Sequence, residues 1–253
     1  MKIGLIGFGR SGKAVAEEIL SNQDVVLEWV LRKSHIDVGE YASELLGYEG
    51  NEGAIHCVDI INLESFFSDN PVDVIIDFSS SSGVDIYDKA AKEGTRIVSA
   101  ISNYSEDSLG KLEELGKFTA VLHSPNITLG INILMAISKL LQHIVPDVDI
   151  EIVEQHFREK KDVSGTAIRI ARELNLDEQR QVHSVRVGEI IGKHEVIFGL
   201  PYQTIRIIHE SLERRAFGQG ALFAARWIND KPNGFYTMEQ ALGIASQIGN
   251  CFT

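Results

Sequence analysis

"KIGLIGFGRSGKAVAEEIL", residues 2–20, decides the fold. "KIGLIG" (2–7) reads as a short buried strand, and "SGKAVAEEILSN" (11–22) sets Ala14, Val15, Ile19 and Leu20 at helical spacing. Between them "GFGRSG" (7–12) matches G-x-G-x-x-G, which means little alone. Directly after a strand and opening a helix, it is the turn that holds a dinucleotide pyrophosphate. Gly7 supplies the tight turn, Gly9 lets the backbone approach the phosphates, and Gly12 lets helix and strand pack closely. The helix start adds free amides and the positive end of its dipole. Phe8, Arg10 and Ser11 complete the candidate cofactor contacts. A purely structural glycine turn is the competing reading.

Outward from this turn, apolar runs and helical patterns alternate. "VVLEWVLR" (25–32), "VDVIIDFS" (72–79), "RIVSAIS" (96–102) and "FTAVLHSPN" (118–126) read as strands. Residues 81–94 and 106–117 read as helices between the later ones. Such alternation implies parallel strands joined by right-handed crossovers, a Rossmann-like doubly wound α/β sheet. After about 127 the pattern changes. A long apolar helix (130–145) and a half-exposed strand, "DIEIVEQHF" (149–157), come first. A helix at 167–175 precedes three adjacent strands, 182–192, 193–201 and 202–213, with turns expected at Gly192-Lys193 and Pro201. Strands without intervening helices suggest an antiparallel or mixed sheet. Helices at 218–230 and near 243 close the chain. The expected organisation is a dinucleotide-binding domain over 1–127 and a C-terminal α+β substrate and oligomerisation domain over 128–230. Residues 231–253 are expected to pack back on the first domain.

Composition narrows the function classes. A chain of 253 residues with 44% apolar and 24% charged content is globular, and its net charge of −12 opposes nucleic-acid or anionic-membrane binding. The two cysteines, Cys57 and Cys251, stand in no metal-ligand spacing and suit a reducing compartment, so no metal is expected. No apolar run is long enough to span a membrane, and the first residues lack a signal peptide's apolar region. A soluble, cytoplasmic protein is the expectation.

If the ligand is NAD, the second strand should end on an acid that accepts from the ribose hydroxyls. Arg32 and Lys33 stand there instead, and two cations suit the 2′-phosphate of NADPH. NADPH is therefore preferred over NADH, against the plain alternative of an exposed basic pair. "DFSSSS" (77–82), "SAISN" (99–103) and "SPNIT" (124–128) fall where strands three, four and five should end. Open parallel sheets bind ligands outside those strand ends, so these loops are candidates for the nicotinamide side. Ordinary β–α turns are the alternative.

"EQHFREKKDVSGTA" (154–167) crowds acid, base and hydroxyl groups together. On a strand His156 shares a face with Glu154 and Ile152, with Lys160 just beyond the strand end. Ser164-Gly165-Thr166 opens the next helix, and its amides and hydroxyls suit a carboxylate as well as a cap. On residue chemistry alone, a solvated charged loop with a helix cap competes with a catalytic strip.

That strip resembles the signature of the dihydrodipicolinate reductases, E-x-H-H-x-x-K-x-D-x-P-S-G-T-A. Glu154, His156, Lys160, Asp162, Ser164, Gly165, Thr166 and Ala167 match once a one-residue gap precedes Ser164. "SPNITLGINIL" resembles the family's crossover into its second domain, and "HSVRVGEIIGKHEVIFG" resembles its R-x-G-x-I-x-G-x-H-x-V-x-F hairpin. "IRIIHESLERRAFGQGALFAARWI" resembles its closing segment. The resemblance implies hydride transfer from NAD(P)H to a cyclic imine dicarboxylate on the lysine and diaminopimelate pathway. It implies His156 and Lys160 as the acid and charge-stabilising pair, and Ser164, Gly165 and Thr166 at a substrate carboxylate. Residues 7–12, Arg32, Lys33, Phe78, Ala100, Ile101, Ser102, Ser124, Pro125, Asn126 and Ile127 would hold the cofactor, in a homotetramer.

The chain departs from the pattern where cofactor and substrate chemistry concentrate. Phe157 replaces the family's second histidine, the proline before Ser164 is missing, and "AISN" (100–103) stands where the family has G-T-T-G. Two alternatives therefore stand beside the reductase reading. One is a relative acting on another imine or amino-acid-derived substrate, and the other is an NADPH-binding protein without catalysis.

Overall fold

In the computed structural model, residues 1–244 are described. They pack as two compact units, one formed by residues 1–128 and the chain from 217 onward, the other by 129–216. The first unit opens with β1 (Lys2–Ile6), α1 (Arg10–Leu20), β2 (Val26–Arg32), α2 (Ala42–Leu45), β3 (Ala54–Cys57) and α3 (Leu63–Asp69). It continues through β4 (Val74–Asp77), α4 (Gly83–Lys92), β5 (Arg96–Ser99), α5 (Glu106–Leu115) and β6 (Ala120–His123). The second unit holds α6 (Leu129–Ile144), β7 (Asp149–His156), α7 (Gly165–Glu173), β8 (Val182–Arg186), β9 (Gly192–Leu200) and β10 (Gln203–Ser211). α8 (Arg215–Ile228) leads back to the first unit, where β11 (Gly234–Thr237) and α9 (Met238–Leu242) follow.

The first sheet has the order β11-β6-β5-β4-β1-β2-β3, parallel at every pairing. Its central strands are buried on both faces, which explains their unbroken apolar runs. The chain runs outward from β1 in one direction, then restarts beside it at β4, so the switch point lies between β1 and β4. Ligand crevices of doubly wound sheets open at that place. Trp29, Phe66, Phe67 and Tyr87 dominate the core between this sheet and its helices.

Several expectations are corrected here. The sequence reading passed over β3 and β11, each four residues long, so the loops assigned to strands three, four and five follow β4, β5 and β6. Neither "AIHC" nor "GFYT" has the length or β-branched content to announce a strand; pairing with β2 and β6 makes them so. The expected hairpin turn at Gly192-Lys193 is absent. β8 pairs parallel with β7 through the α7 crossover, and β9 pairs antiparallel with both β7 and β10. The second sheet is thus mixed, with order β10-β9-β7-β8.

The helix placed with the substrate domain, 218–230, belongs by its packing to the first unit. A Cβ on Gly218 would stand 2.6 Å from the Glu18 Cβ, and Arg226 reaches Asp24 at 2.7 Å. α8 therefore lies against α1, and the second unit closes at 216 rather than 230. β11 pairs with β6, so the return segment reaches the first sheet, while residues 245–253 lie outside the described part.

Within the second unit α6 and α7 cover one face of the mixed sheet, burying Ile131, Leu134, Ile152, Ile170, Val196 and Phe198. Among the described residues no helix is long and apolar enough to cross a membrane.

Candidate functional site

The glycine turn joins β1 to α1 as its pattern requires. Gly7 has φ +97, and a Cβ there would stand 2.6 Å from the Phe78 carbonyl. Gly12 presses so close that a Cβ would meet the Gly7 carbonyl oxygen at 2.0 Å. Gly9 differs, since a Cβ there would meet nothing within 4 Å. The space in front of it is open, and α1 begins without a side-chain cap. Uncapped amides facing open space beside the switch point suit an anionic group. Arg10 is exposed and Ser11 half-buried at this helix start, while Phe8 is buried.

Arg32 ends β2, and its guanidinium lies over Phe8 at 5.9 Å from the ring centroid. Its Nη1 donates to the Asp37 carboxylate at 2.7 Å, whereas its buried Nε has no partner among the described residues. Lys33 is exposed beside it. The pairing of β2 with β3 also brings His35, Cys57 and Asp59 together, with possible metal-ligand atoms within 4.8 Å. Sequence spacing gave no sign of that cluster. The Cys57 thiol already donates to the Lys33 carbonyl at 3.3 Å.

On the β4 side, Asp77 is fully buried among hydroxyls. Its Oδ1 accepts from the Ser79 amide at 2.9 Å and hydroxyl at 2.6 Å, and Tyr104 Oη donates to Oδ2 at 3.4 Å. Burial, only partly offset by Ser79, pushes its carboxyl up to about 6. Ser99 bonds Tyr104 at 2.8 Å, so this group ties the loops after β4 and β5 together. Phe78 is half-buried, Ala100 intermediate and Ser102 exposed. Ile101, Ser124 and Ile127 turn their side chains inward, and Ser124 Oγ donates to the Asn126 carbonyl at 2.8 Å. Pro125 and Asn126 are intermediate between them. All these loops leave the same, carboxyl edge of the parallel sheet.

In the second unit, strand register assembles the site row by row. Glu154 lies opposite Ser184 on one side and His194 on the other, and His156 lies opposite Arg186. The next row inward, Val182, Ile152 and Val196, is core. The polar rows therefore form the end of an otherwise apolar face.

Glu154 is fully buried and organises them. Its Oε1 accepts from Ser184 Oγ at 2.6 Å, Arg186 Nη2 at 2.6 Å and the Ser164 amide at 3.1 Å. Its Oε2 accepts from Arg186 Nη1 at 2.8 Å and contacts His156 Nδ1 at 2.6 Å. Burial opposes the charge, but these bonds hold the carboxyl down to about 2, so it is ionised. Nδ1 of His156 then donates to it, and Nε2 is left as the reactive nitrogen. Burial lowers His156 below the ordinary histidine range despite Glu154, so the ring is neutral at pH 7.

Arg186 spends its remaining donors on the carbonyls of Lys160 at 2.9 Å, Asp162 at 2.9 Å and Val185 at 2.9 Å. It thereby shapes the loop that carries Lys160. The Lys160 side chain is partly buried and makes no ion pair among the described residues. Its charge lowers the proton affinity of both His156 and His194, so it stands near both.

Ser164, the N-cap of α7, is buried, and its hydroxyl bonds His194 Nε2 at 2.9 Å. Burial, then the His156 ring beside it, which would take up a proton first, drives His194 down to about 3. Because His194 and Glu154 hold Ser164, its side chain does not cap its own helix. Gly165 is exposed there, with open space where a Cβ would stand, and Thr166 follows in the first turn. Of the expected substrate contacts, Ser164 thus faces inward and Gly165 outward.

The sequence reading did not name Arg186, His194 or Ser184 as site residues. Arg186 and His194 sat inside the quoted hairpin pattern, but only the register of β8 and β9 against β7 aims them at Glu154.

Three comparisons place this arrangement among known proteins. The 4-hydroxy-tetrahydrodipicolinate reductase of Hahella chejuensis is 32% identical over 270 aligned residues, covering 96% of this chain and 99% of that one. The enzyme of the same name from Caldanaerobacter subterraneus is 38% identical over 189 residues, 66% of this chain and 75% of that one. A solved dihydrodipicolinate reductase with bound dipicolinate, from Paenisporosarcina sp. TG-14, shares the fold at TM-score 0.75 and 22% identity, covering 94% of this chain and 97% of that one. Residues 1–127 match the family model described as dihydrodipicolinate reductase, N-terminus, and 130–242 match its C-terminus counterpart. With both domains matched, the chain belongs to the dihydrodipicolinate reductase family and is an oxidoreductase that uses a pyridine nucleotide.

Proposed function

We propose that this protein reduces 4-hydroxy-tetrahydrodipicolinate to tetrahydrodipicolinate in lysine and diaminopimelate biosynthesis, using NADPH in preference to NADH, in the cytoplasm. The observation that carries the reading is the Glu154–Arg186–His156 constellation beside the Lys160 loop and the uncapped start of α7. It offers a cation, a neutral imidazole and helix amides, which are the groups a small dianion with a basic nitrogen needs.

The nicotinamide, when bound, supplies the hydride. The open space at Gly9, the uncapped α1 and the unpartnered Nε of Arg32 all fit a dinucleotide with a 2′-phosphate. Lys160 and the α7 start at Gly165 and Thr166 bind the two substrate carboxylates. A carboxylate that neutralises Lys160 removes a charge that holds His156 deprotonated. Substrate binding therefore raises the proton affinity of His156 Nε2, which passes a proton to the substrate nitrogen. Glu154 keeps the tautomer, and Arg186 keeps Glu154 ionised. The hydroxyl leaves as water with a hydrogen from the adjacent ring carbon, which opens a conjugated C=C–C=N. One hydride adds to its carbon end and one proton to its nitrogen, and the imine re-forms as that proton moves to carbon, so the conversion balances.

Phe157, half-buried, supports a second reading in which the substrate carries one anionic group fewer. The homotetramer implied by the family resemblance has a candidate surface on the sheet face away from α6 and α7. Ile208 and Val185 are 52% and 41% exposed there. The deciding experiment is imine reduction by the purified protein, followed as NADPH and NADH oxidation. Turnover on the 4-hydroxy imine with NADPH favoured supports the proposal, and turnover only on a less anionic imine supports the second reading.

A further inference from the structure

We propose that Asp37 sets the balance between NADPH and NADH, acting both as the ribose acid and as the brake on Arg32. The inference deepens the cofactor reading and rests on the 7–12 turn being the pyrophosphate site. Enzymes for NAD place a carboxylate at the end of the second strand. Here the strand ends on Arg32, but the loop beyond returns a carboxylate to the same spot, 2.7 Å from Nη1. The two side chains are only 15% and 27% exposed, so water screens the pair little.

The loop is built to hold that carboxylate. Asp37 has φ +60, and the amide of Glu40 donates to its carbonyl at 3.2 Å. Gly39 and Glu40 are in turn stitched to Ile55 of β3, at 3.0 and 2.9 Å. Arg32 lies over Phe8 of the glycine turn, so the pair stands beside the nucleotide turn and not out on the surface. Its buried Nε still lacks an acceptor among the described residues.

Two states of one pair follow. With NADH the ribose 2′-hydroxyl donates to Asp37 while Arg32 stays paired. With NADPH the 2′-phosphate takes Arg32 Nε and Nη1, joined by Lys33, and repels the Asp37 carboxylate. Asp37 thus favours NADH and taxes NADPH, leaving both usable. Removing its charge frees Nη1 for the phosphate and deletes the acceptor for the hydroxyl.

The test is the dissociation constant of each reduced cofactor, by fluorescence, for the wild type, Asp37→Asn and Asp37→Gly. Both substitutions suit φ +60, Gly freely and Asn more readily than most residues, so neither strains the loop. The NADPH-to-NADH affinity ratio should rise about tenfold or more in either variant, with NADH weakened, as losing a charged partner implies. An unchanged ratio, or equal weakening of both cofactors, overturns the proposal and leaves Asp37 a loop-building role. Because no imine enters the measurement, a failed imine assay leaves this proposal standing, and an unchanged ratio leaves the reductase reading standing.

Discussion

In the proposed mechanism Lys160 and His156 divide one task in the second unit: the lysine would contribute charge from a shaped loop, and the histidine a proton from a ring held by Glu154. Lys160→Ala should lower kcat about 100-fold or more and leave NADPH affinity unchanged, measured by initial rates and fluorescence titration. Turnover at the wild-type level would remove Lys160 from the mechanism. Its neighbour Phe157 has no such role in the geometry. Residue chemistry alone puts a solvated charged loop with a helix cap ahead of a catalytic strip at 154–167. The structure weighs against the loop, because Glu154 at its start is buried and ionised and Ser164 near its end is bonded inward.

At the scale of elements, the β1–α1 turn separates two uses of glycine. Gly12 has no room for a methyl group, whereas Gly9 has room that the protein itself leaves open. Gly9→Ala should therefore keep the wild-type Tm within about 2 °C while weakening NADPH binding about tenfold or more. A Tm loss as large as that of Gly12→Ala, or intact binding, would contradict the pyrophosphate role of Gly9. This turn was legible because strand, glycines and helix are adjacent in sequence and need no partner to be read. The β8 strand was not read correctly, because its pairing with β7 depends on a crossover through α7. Arg186 and His194 were missed for the same reason, since their convergence on Glu154 is a product of register across three strands. Asp37 was hidden too; nothing in "RKSHID" says that the loop doubles back to Arg32.

At the scale of the whole molecule, the buried groups at the end of β7 and at the end of β4 answer acid in opposite senses. His194 sits at about 3 and Glu154 at about 2, both below their ordinary values of 6.5 and 4.5. Depressed values stabilise the fold above the ordinary values, and that stability is lost as pH falls from about 6.5 toward the folded ones. Asp77, raised from 3.8 to about 6, has the reverse effect. Its burial costs the first unit on the order of 3 kcal/mol above pH 6, a cost relieved as pH falls toward 4. Hydrogen-exchange protection from pH 7 to pH 5 should thus fall around β7 and α7 while holding or rising around β4. Asp77→Asn should flatten only the latter, and the same response at β4 as around β7 and α7 would refute the assignment.

The central claim, that this protein reduces a cyclic imine dicarboxylate with NADPH, meets its most direct test in the initial rate of nicotinamide oxidation on freshly generated 4-hydroxy-tetrahydrodipicolinate. Saturable turnover, faster with NADPH than with NADH at equal low concentrations, is the predicted result. Tight NADPH binding with no oxidation of either cofactor on that imine would contradict it.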